Sequence, residues 1–342
     1  METYKDFAET LQSFFLTYLV KERGVSSNTI RAYRDTFVHL LNFIQETKET
    51  APEKICLSII NRALVIHFLD WLEEKRNNSI TTRNQRFTVL KSFSNYLMLY
   101  DPVHMAQWKL IHAVKMKKGI SETLNYLTID GIKYILEQID TKNRQGRRNL
   151  TLLSLLYNTG ARTQELIDLT PLSIRREKPY MIELFGKNSK KRLVPLEDNM
   201  MILLENYMLE NNLLLSENNS HPLFYNVWNE KLTNPGITFI LKKYASQVRI
   251  LHPEAIPLKL SPHIFRHSRA MHLLQAGVNL VYIRDLLGHA SVQTTEIYAK
   301  ADSKLKREAL EKAYADIGVT TIQAQRSWEK DPKLKTFLKN LS

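Results

Sequence analysis

Residues 261–300 read SPHIFRHSRAMHLLQAGVNLVYIRDLLGHASVQTTEIYAK, and this one stretch holds His263, Arg266, His267, His289 and Tyr298. Met271, Leu274, Val278 and Val281 recur at helical intervals. They predict helices that turn at Ala276-Gly277 and again at Leu287-Gly288-His289, since glycine takes the left-handed backbone of a helix end without a Cβ clash. Basic and imidazole groups gathered ahead of a tyrosine suit the attack of a phenol on a phosphodiester.

A chain of 342 residues exceeds one ordinary domain and divides most naturally into two. With 44% apolar and 24% charged residues it can bury a sizeable globular core. Its longest apolar patches, such as 63–72, are interrupted by His67 and Asp70 and are too short to span a bilayer. The opening METYKDFAET is acidic and polar, unlike a secretory signal. The single cysteine, Cys56, excludes an internal disulfide framework and fits a reducing cytoplasm. A net charge of +13 favours a polyanionic partner and speeds encounter with it. Both halves are basic, as two domains touching one nucleic acid would be.

In the first half, Phe7, Leu11, Phe14, Phe15 and Leu19 share one face of a helix that ends at Gly24. Ser26-Ser27-Asn28 caps a second helix from Thr29 to about Gln45, with Arg31 and Arg34 outward. A third covers about Arg62–Lys75. A fourth begins at Ser79–Thr82 and reaches Leu99, with Phe87, Leu90, Phe93 and Leu97 inward and Arg83 and Arg86 outward. This predicts a four- or five-helix bundle. Thr82, Arg83, Arg86 and Lys91 would let the fourth helix neutralise phosphates along a groove, or simply form a solvated face. After Asp101-Pro102 the periodicity fades and Lys115, Lys117 and Lys118 suggest a basic joiner to DNA. The expected division is a helical DNA-binding domain at 1–115, a linker at 116–124, a second domain at 125–318 and a tail at 319–342.

The second half predicts helices at Thr128–Gln138, Asn149–Tyr157, Arg162–Leu169, Asn199–Asn211 and Thr233–Val248. Tyr180–Phe185 and Arg192–Leu196 read as strands around a turn at 186–191, a small antiparallel sheet in an otherwise helical domain. Beyond Tyr298, Leu305, Ala309, Leu310, Ala313, Tyr314 and Ile317 form an apolar stripe that would cover either its own domain or a neighbouring subunit. Asp331-Pro332 would open a last short helix.

Residues 157–166 (YNTGARTQEL), 186–196 (GKNSKKRLVPL), 263–267 (HIFRH) and 287–298 (LGHASVQTTEIY) resemble, in the right order, the motifs of the tyrosine recombinase (phage-integrase) family. With the N-terminal bundle, the resemblance covers the chain to about residue 315. Phe265 stands where leucine is usual and Arg269 where an apolar residue is usual. The tail beyond about 320 is longer than in the compact members that resolve chromosome dimers. The resemblance implies a mainly α fold with a small antiparallel sheet, made of an N-terminal SAM-like core-binding bundle and a C-terminal catalytic domain.

It also implies roles. Arg162 and Arg266 would clamp phosphate oxygens, as a guanidinium does through bidentate contacts. Glu165, one turn after Arg162, would buttress it. Tyr298 would be the nucleophile. Lys187 would protonate the leaving 5′ oxygen, with Lys190, Lys191 and Arg192 as competitors; an amine near two arginines has a lowered pKa. His263 would accept a proton or bind phosphate, His289 would donate to phosphate, and His267 would support them. A zinc site of His263, His267, His272 and His289 is the weaker reading, for there is no His-Glu-x-x-His segment or cysteine cluster. Scattered carboxylates and the lack of a phosphate-cradling glycine loop argue against a two-metal nuclease and against ATP. The ester stores the energy of religation, so no cofactor is implied.

The expected activity is site-specific DNA strand exchange in integration or excision of a mobile element. Alternatives are a Xer-type dimer resolvase, a type IB topoisomerase and a DNA-binding regulator without catalysis. The implied partners are double-stranded DNA, a homo-tetramer joined through the C-terminal segment, and accessory DNA-bending or sister recombinase proteins. No membrane is involved, and the location is the cytoplasmic nucleoid.

Overall fold

Asp6 starts the first helix, its carboxylate accepting the Glu9 N–H at 2.9 Å. Helix α1 (Phe7–Ser13) runs on as a π-helix over Phe14–Glu22. The wider turn breaks the expected spacing, so Phe7, Phe14 and Leu19 are buried while Leu11 and Phe15 are half-buried. Ser26, Asn61 and Ser79 cap α2 (Ser27–Lys48), α3 (Arg62–Glu74) and α4 (Ile80–Tyr100) by accepting N–H bonds from Thr29, Leu64 and Thr82. The computed structural model describes residues 6–49, 51, 54–119, 125–186, 190–289, 291–301, 333 and 336. The chain separates into two compact units, Met1–Glu122 and Thr123–Ser342.

Aromatic rings knit the first unit. Phe14 is fully buried with its ring centre 5.0 Å from Phe93 and 5.3 Å from Tyr96. Truncating such a ring costs about 3–5 kcal/mol. Helix α5 (Met105–His112) forms where the sequence periodicity fades. Trp108 explains it: the ring is fully buried and its indole N–H donates to Asp101 at 3.1 Å, so the polar edge is satisfied as well.

The outward placement of Arg83 is corrected. Its side chain is 4% exposed, with Nε 3.0 Å from the Glu73 carboxylate. Lys117 reaches the same Glu73 at 2.8 Å, and its backbone exchanges hydrogen bonds with the Asn84 side chain. The start of the expected joiner is therefore tied to α3 and α4 by charge and backbone bonds. Arg86 is half-buried, and burial lowers its pKa from the usual arginine value against the pull of Asp35. Thr82 shares a hydroxyl contact with Ser79, and Lys91 lies over the Phe87 ring. Arg31, Arg34, Lys115 and Lys118 are exposed.

In the second unit come α6 (Ile129–Glu137), α7 (Arg144–Thr159) and α8 (Thr163–Ile167). Leu152, Leu153, Leu155 and Leu156 are all fully buried, so α7 is apolar around most of its girth and forms the centre of the core. A three-stranded antiparallel sheet follows in the order β1 (Ile174–Arg175), β2 (Met181–Phe185), β3 (Lys191–Pro195). Ile182, Leu184 and Val194 point into the core, and Leu184 pairs with Arg192. The two-residue β1 is too short to show in sequence. Then come α9 (Asp198–Glu210), α10 (Asn234–Leu251), α11 (Pro262–Gln275), α12 (Leu280–Leu287) and α13 (Gln293–Ala301). The stripe at 305–317 and the segment opening at Asp331 lie outside the described residues, apart from Lys333 and Thr336. Among the described residues no helix is long and apolar enough to cross a membrane.

Arg83→Ala removes one of the two cations on Glu73 together with a buried side chain, so it should destabilise the protein by about 2 kcal/mol, below the fully buried range because Glu73 is partly wet and keeps Lys117. Arg31→Ala should leave stability unchanged. Thermal unfolding of both variants checks this; equal melting temperatures would contradict it.

Candidate active site

The C-terminal end of α12 is where the chemistry collects. A helix leaves its last carbonyls without partners inside the helix, and its dipole makes that end negative. Here Leu286, Leu287 and Gly288 present consecutive carbonyl oxygens, and each accepts from a different arginine. Arg192 Nε donates to Leu286 at 2.8 Å, an Arg266 terminal nitrogen donates to Leu287, and Arg162 donates to Gly288 at 3.2 Å. Gly288 sits at φ +64, and a Cβ there would lie 3.0 Å from the Arg192 guanidinium. Gly160, at φ +58, ends α7 and faces Leu287 so closely that a Cβ would lie 2.9 Å from its methyl. Its carbonyl takes the second bond from Arg266, at 2.6 Å.

Glu165 holds the other side. It is 4% exposed, and its two oxygens accept from the Arg162 backbone N–H (2.7 Å), from the Arg162 guanidinium (2.8 Å) and from both ends of the Arg192 fork (2.8 and 2.7 Å). Burial pushes its pKa up, but the bonds from Arg192 and then Arg162 outweigh this and hold it below the usual carboxylate value. Arg266 is buried beside this cluster; burial and the charge of Arg162 bring its pKa down to about 10, still well above neutrality.

The imidazoles and the phenol lie next to these charges. Tyr298 is fully buried among Ala270, Met271, Ile283 and Leu287, with its hydroxyl 2.9 Å from His267 Nδ1. Burial raises its pKa, opposed by the nearby charges of Arg266 and Arg162. The His289 ring lies nearly parallel to that of Tyr298 at 6.4 Å, and its Nδ1 meets the Thr295 hydroxyl at 2.9 Å. Burial, with Arg266 among the charges that help, lowers His267 and His289 to about 4. His263 stands exposed at the rim, 6.3 Å ring to ring from His267; desolvation, Arg266 and Arg162 keep it below the usual value. All three imidazoles are thus neutral at pH 7, surrounded by permanent cations.

Against known proteins, the profile of the phage integrase family matches residues 125–304, and that of the phage integrase N-terminal SAM-like domain matches 13–100. A Sinorhizobium fredii protein named as an integrase/recombinase, y4rC, is 30% identical over 341 residues, covering 100% of both chains. The tyrosine recombinase XerD of Listeria monocytogenes is 30% identical over 286 residues, covering 83% of this chain and 91% of its own. The chain belongs to the phage integrase family. The fold is also that of the Tn1549 transposon integrase in complex with transposon right end DNA, at TM-score 0.68 and 18% identity over 90% of this chain and 99% of that one. The XerH recombinase bound to difH DNA gives TM-score 0.64 at 22% identity, over 84% and 81% of the two chains. As a phage-integrase member the chain is a tyrosine recombinase with a SAM-like helical domain and a mainly α catalytic domain carrying a small antiparallel sheet.

Of the residues singled out in the sequence, Arg162, Glu165, His263, Arg266, His267, His289 and Tyr298 come together in the second unit. Lys187 lies outside the described residues; its neighbour Gly186 borders the Glu165 carboxylate. Lys191 pairs with Glu183 at 3.0 Å and Arg192 is engaged by Glu165, so neither is a loose amine or guanidinium at the hairpin. His272 is turned away, hydrogen-bonded to Tyr157 at 2.8 Å. Among the described residues no group of His, Cys, Asp and Glu has metal-binding geometry. Sequence reasoning missed Thr295, which is fully buried against His289, and it treated Arg192 only as a competitor of Lys187. A basic residue on a strand next to the turn that carries Lys187 was the available signal for Arg192; Thr295 offered none.

The two shifted imidazoles make stability depend on pH. His267 and His289 titrate near 4 when folded and near 6.5 when unfolded, so below 6.5 the unfolded chain binds their protons first. Their contribution is complete above pH 6.5 and is lost as pH falls toward 4. Melting temperature measured from pH 7.5 to 4.5 should fall steadily, and His267→Asn should flatten that slope. An unchanged slope in the variant would refute the assignment.

Proposed function

We propose that Tyr298 attacks a backbone phosphorus of duplex DNA, breaking the bond to the 5′ oxygen and leaving a 3′-phosphotyrosine ester and a free 5′ hydroxyl. The 5′ hydroxyl of a partner strand then attacks the ester, restores the phosphodiester and frees Tyr298. One observation carries this reading: the Tyr298 hydroxyl is hydrogen-bonded to a neutral imidazole, and the charges of Arg266 and Arg162 act on that phenol. A phosphate entering there meets guanidiniums whose Coulomb energy is lowered by its arrival, and the charge that builds on its oxygens during in-line attack strengthens those contacts.

Roles follow from reach. Arg162 and Arg266 bind the non-bridging oxygens. His267, already against the phenol, receives its proton. His289, with Nδ1 facing Thr295, offers Nε2 as a donor to phosphate, and His263 at the rim binds the phosphate from its open side. Lys187 is the donor to the departing 5′ oxygen. In the first unit the exposed Arg31, Arg34, Lys115 and Lys118, with Thr82, Arg86, Lys91 and Lys117, are the candidates for backbone contact, and buried Arg83 serves the helix packing instead.

Integration or excision of a mobile element is the favoured setting, because y4rC matches over the whole chain, including the residues beyond 320, whereas XerD covers 83% of it. Action as a DNA-bound tetramer joined through the C-terminal segment, help from DNA-bending or sister recombinase proteins, and a cytoplasmic nucleoid location complete the reading.

A suicide substrate, nicked so that religation fails, should trap a covalent protein–DNA adduct with the wild type and none with Tyr298→Phe. Arg162→Ala and Arg266→Ala should keep DNA affinity and lose about 100- to 1,000-fold in adduct formation. Strand breakage that needs magnesium and leaves no protein on the DNA would sink the proposal. Relaxation of a supercoiled plasmid lacking recombination sites, at a rate matching cleavage at a true site, would favour the topoisomerase instead.

A further inference from the structure

Arg192 has no part in the strand cleavage as proposed above, yet among the described residues its guanidinium makes three hydrogen bonds in the site against two each for those of Arg162 and Arg266. Its side chain is 11% exposed, and three donor atoms are committed: Nε to the Leu286 carbonyl and both terminal nitrogens to the two oxygens of Glu165. It thereby ties strand β3, helix α8 and the end of α12 into one unit, and its Cδ, Cζ and Nη1 pack against the open face of Gly288.

The way Arg192 and Arg162 divide Glu165 is the informative feature. A carboxylate pairs best with a guanidinium through two parallel bonds, one to each oxygen. Arg192 takes that geometry, and Arg162, although only three residues from Glu165, donates a single guanidinium bond to it. Arg162 keeps one further bond, to the Gly288 carbonyl, and its remaining N–H groups are committed to no described residue. Its side chain is 35% exposed while that of Arg192 is 11% exposed, so the two cations on one carboxylate differ in access.

We propose that Arg192 is a positioning residue for strand cleavage: by occupying both oxygens of Glu165 it prevents Arg162 from closing onto that carboxylate and keeps the Arg162 fork turned toward the scissile phosphate. The proposal rests on Arg162 binding that phosphate. Without Arg192, Glu165 is a buried carboxylate with unfilled lone pairs, and the nearest guanidinium able to fill them is Arg162. Rotation of Arg162 onto Glu165 would withdraw it from DNA without removing any group that touches the substrate.

The test is single-turnover cleavage of a suicide substrate, with DNA affinity and melting temperature measured on the same preparations. Arg192→Ala should cleave about 100-fold more slowly, the cost of displacing a catalytic group by about an ångström, with affinity unchanged within about threefold. Arg192→Lys, which retains charge but not the fork, should recover only part of the rate; it serves as the main variant if Arg192→Ala does not fold. The deciding measurement repeats the change in an Arg162→Lys background. If Arg192 works through Arg162, the second substitution there should cost less than about threefold. A full multiplicative loss would mean that Arg192 acts on the phosphate independently, and the proposal fails. Wild-type cleavage by a folded Arg192→Ala also overturns it. If Arg162→Lys alone cleaves at the wild-type rate, the phosphate-binding role of Arg162 has failed and the proposal falls with it, an outcome distinct from the other two.

Discussion

Three consecutive carbonyl oxygens at the end of α12 hold three arginines drawn from β3, the residue that precedes α8, and α11. The rest of the site depends on this constraint, because guanidiniums repel one another and would spread apart on a featureless surface. A helix terminus supplies several acceptors within one turn and a negative dipole end, so it concentrates cations without cancelling their charge. Glu165 adds one full negative charge from the opposite side. Positive charge remains in excess over negative, in a place that protein atoms largely close to water.

Burial and that excess together account for the neutral imidazoles, while burial alone accounts for the raised pKa of the phenol. Burial disfavours charge on His267 and His289, and each guanidinium raises the cost of another cation. The phenol feels the two influences in opposition, since burial disfavours the phenolate while Arg266 and Arg162 favour it. A phosphate diester changes this balance in one step. In the proposed reaction its negative charge would satisfy the guanidiniums and raise the proton affinity of the neighbouring imidazoles, so that His267 would become a better acceptor once DNA is bound. Before that, Tyr298 is buried and tied to a weak base. The same charges therefore favour the phenolate while keeping the neighbouring imidazole a weak base.

Much of this was legible in the sequence, for reasons that also mark where legibility stopped. Arg162, Arg266, the histidines and Tyr298 could be picked out because phosphoryl chemistry needs those side chains, and four motifs in order resembled one family. The mainly helical fold with a small sheet followed from apolar spacing, as at Leu152–Leu156. What could not be read were partners that have no side-chain signature. The carbonyls of Leu286, Leu287 and Gly288 are chemically those of any residue; only the turn around Gly288 makes them acceptors. Arg83 fell on the outer arc of α4 by helical spacing, but that arc is covered by Glu73 and by the returning segment at Lys117, a tertiary event that periodicity within one helix does not encode. Trp108 likewise buried a helix whose own pattern was weak.

Arg192 joins these two lines of argument. In sequence it is one of several basic residues near a turn, indistinguishable in type from Lys190 and Lys191. In the fold, the two-residue alternation of β3 places it next to the core strand residue Val194 on the sheet side that meets α12, while Lys191 turns to Glu183 on the other. A one-residue slip of the β2–β3 register would exchange them, leaving Glu165 to face an ammonium in place of a fork. The pairing of Leu184 with Arg192 and of Ile182 with Val194 prevents that slip, because the slipped register would carry Val194 out of the core. Apolar burial in a small sheet thus selects which cation meets the carboxylate, and through it, in the proposed mechanism, which guanidinium is left for the substrate.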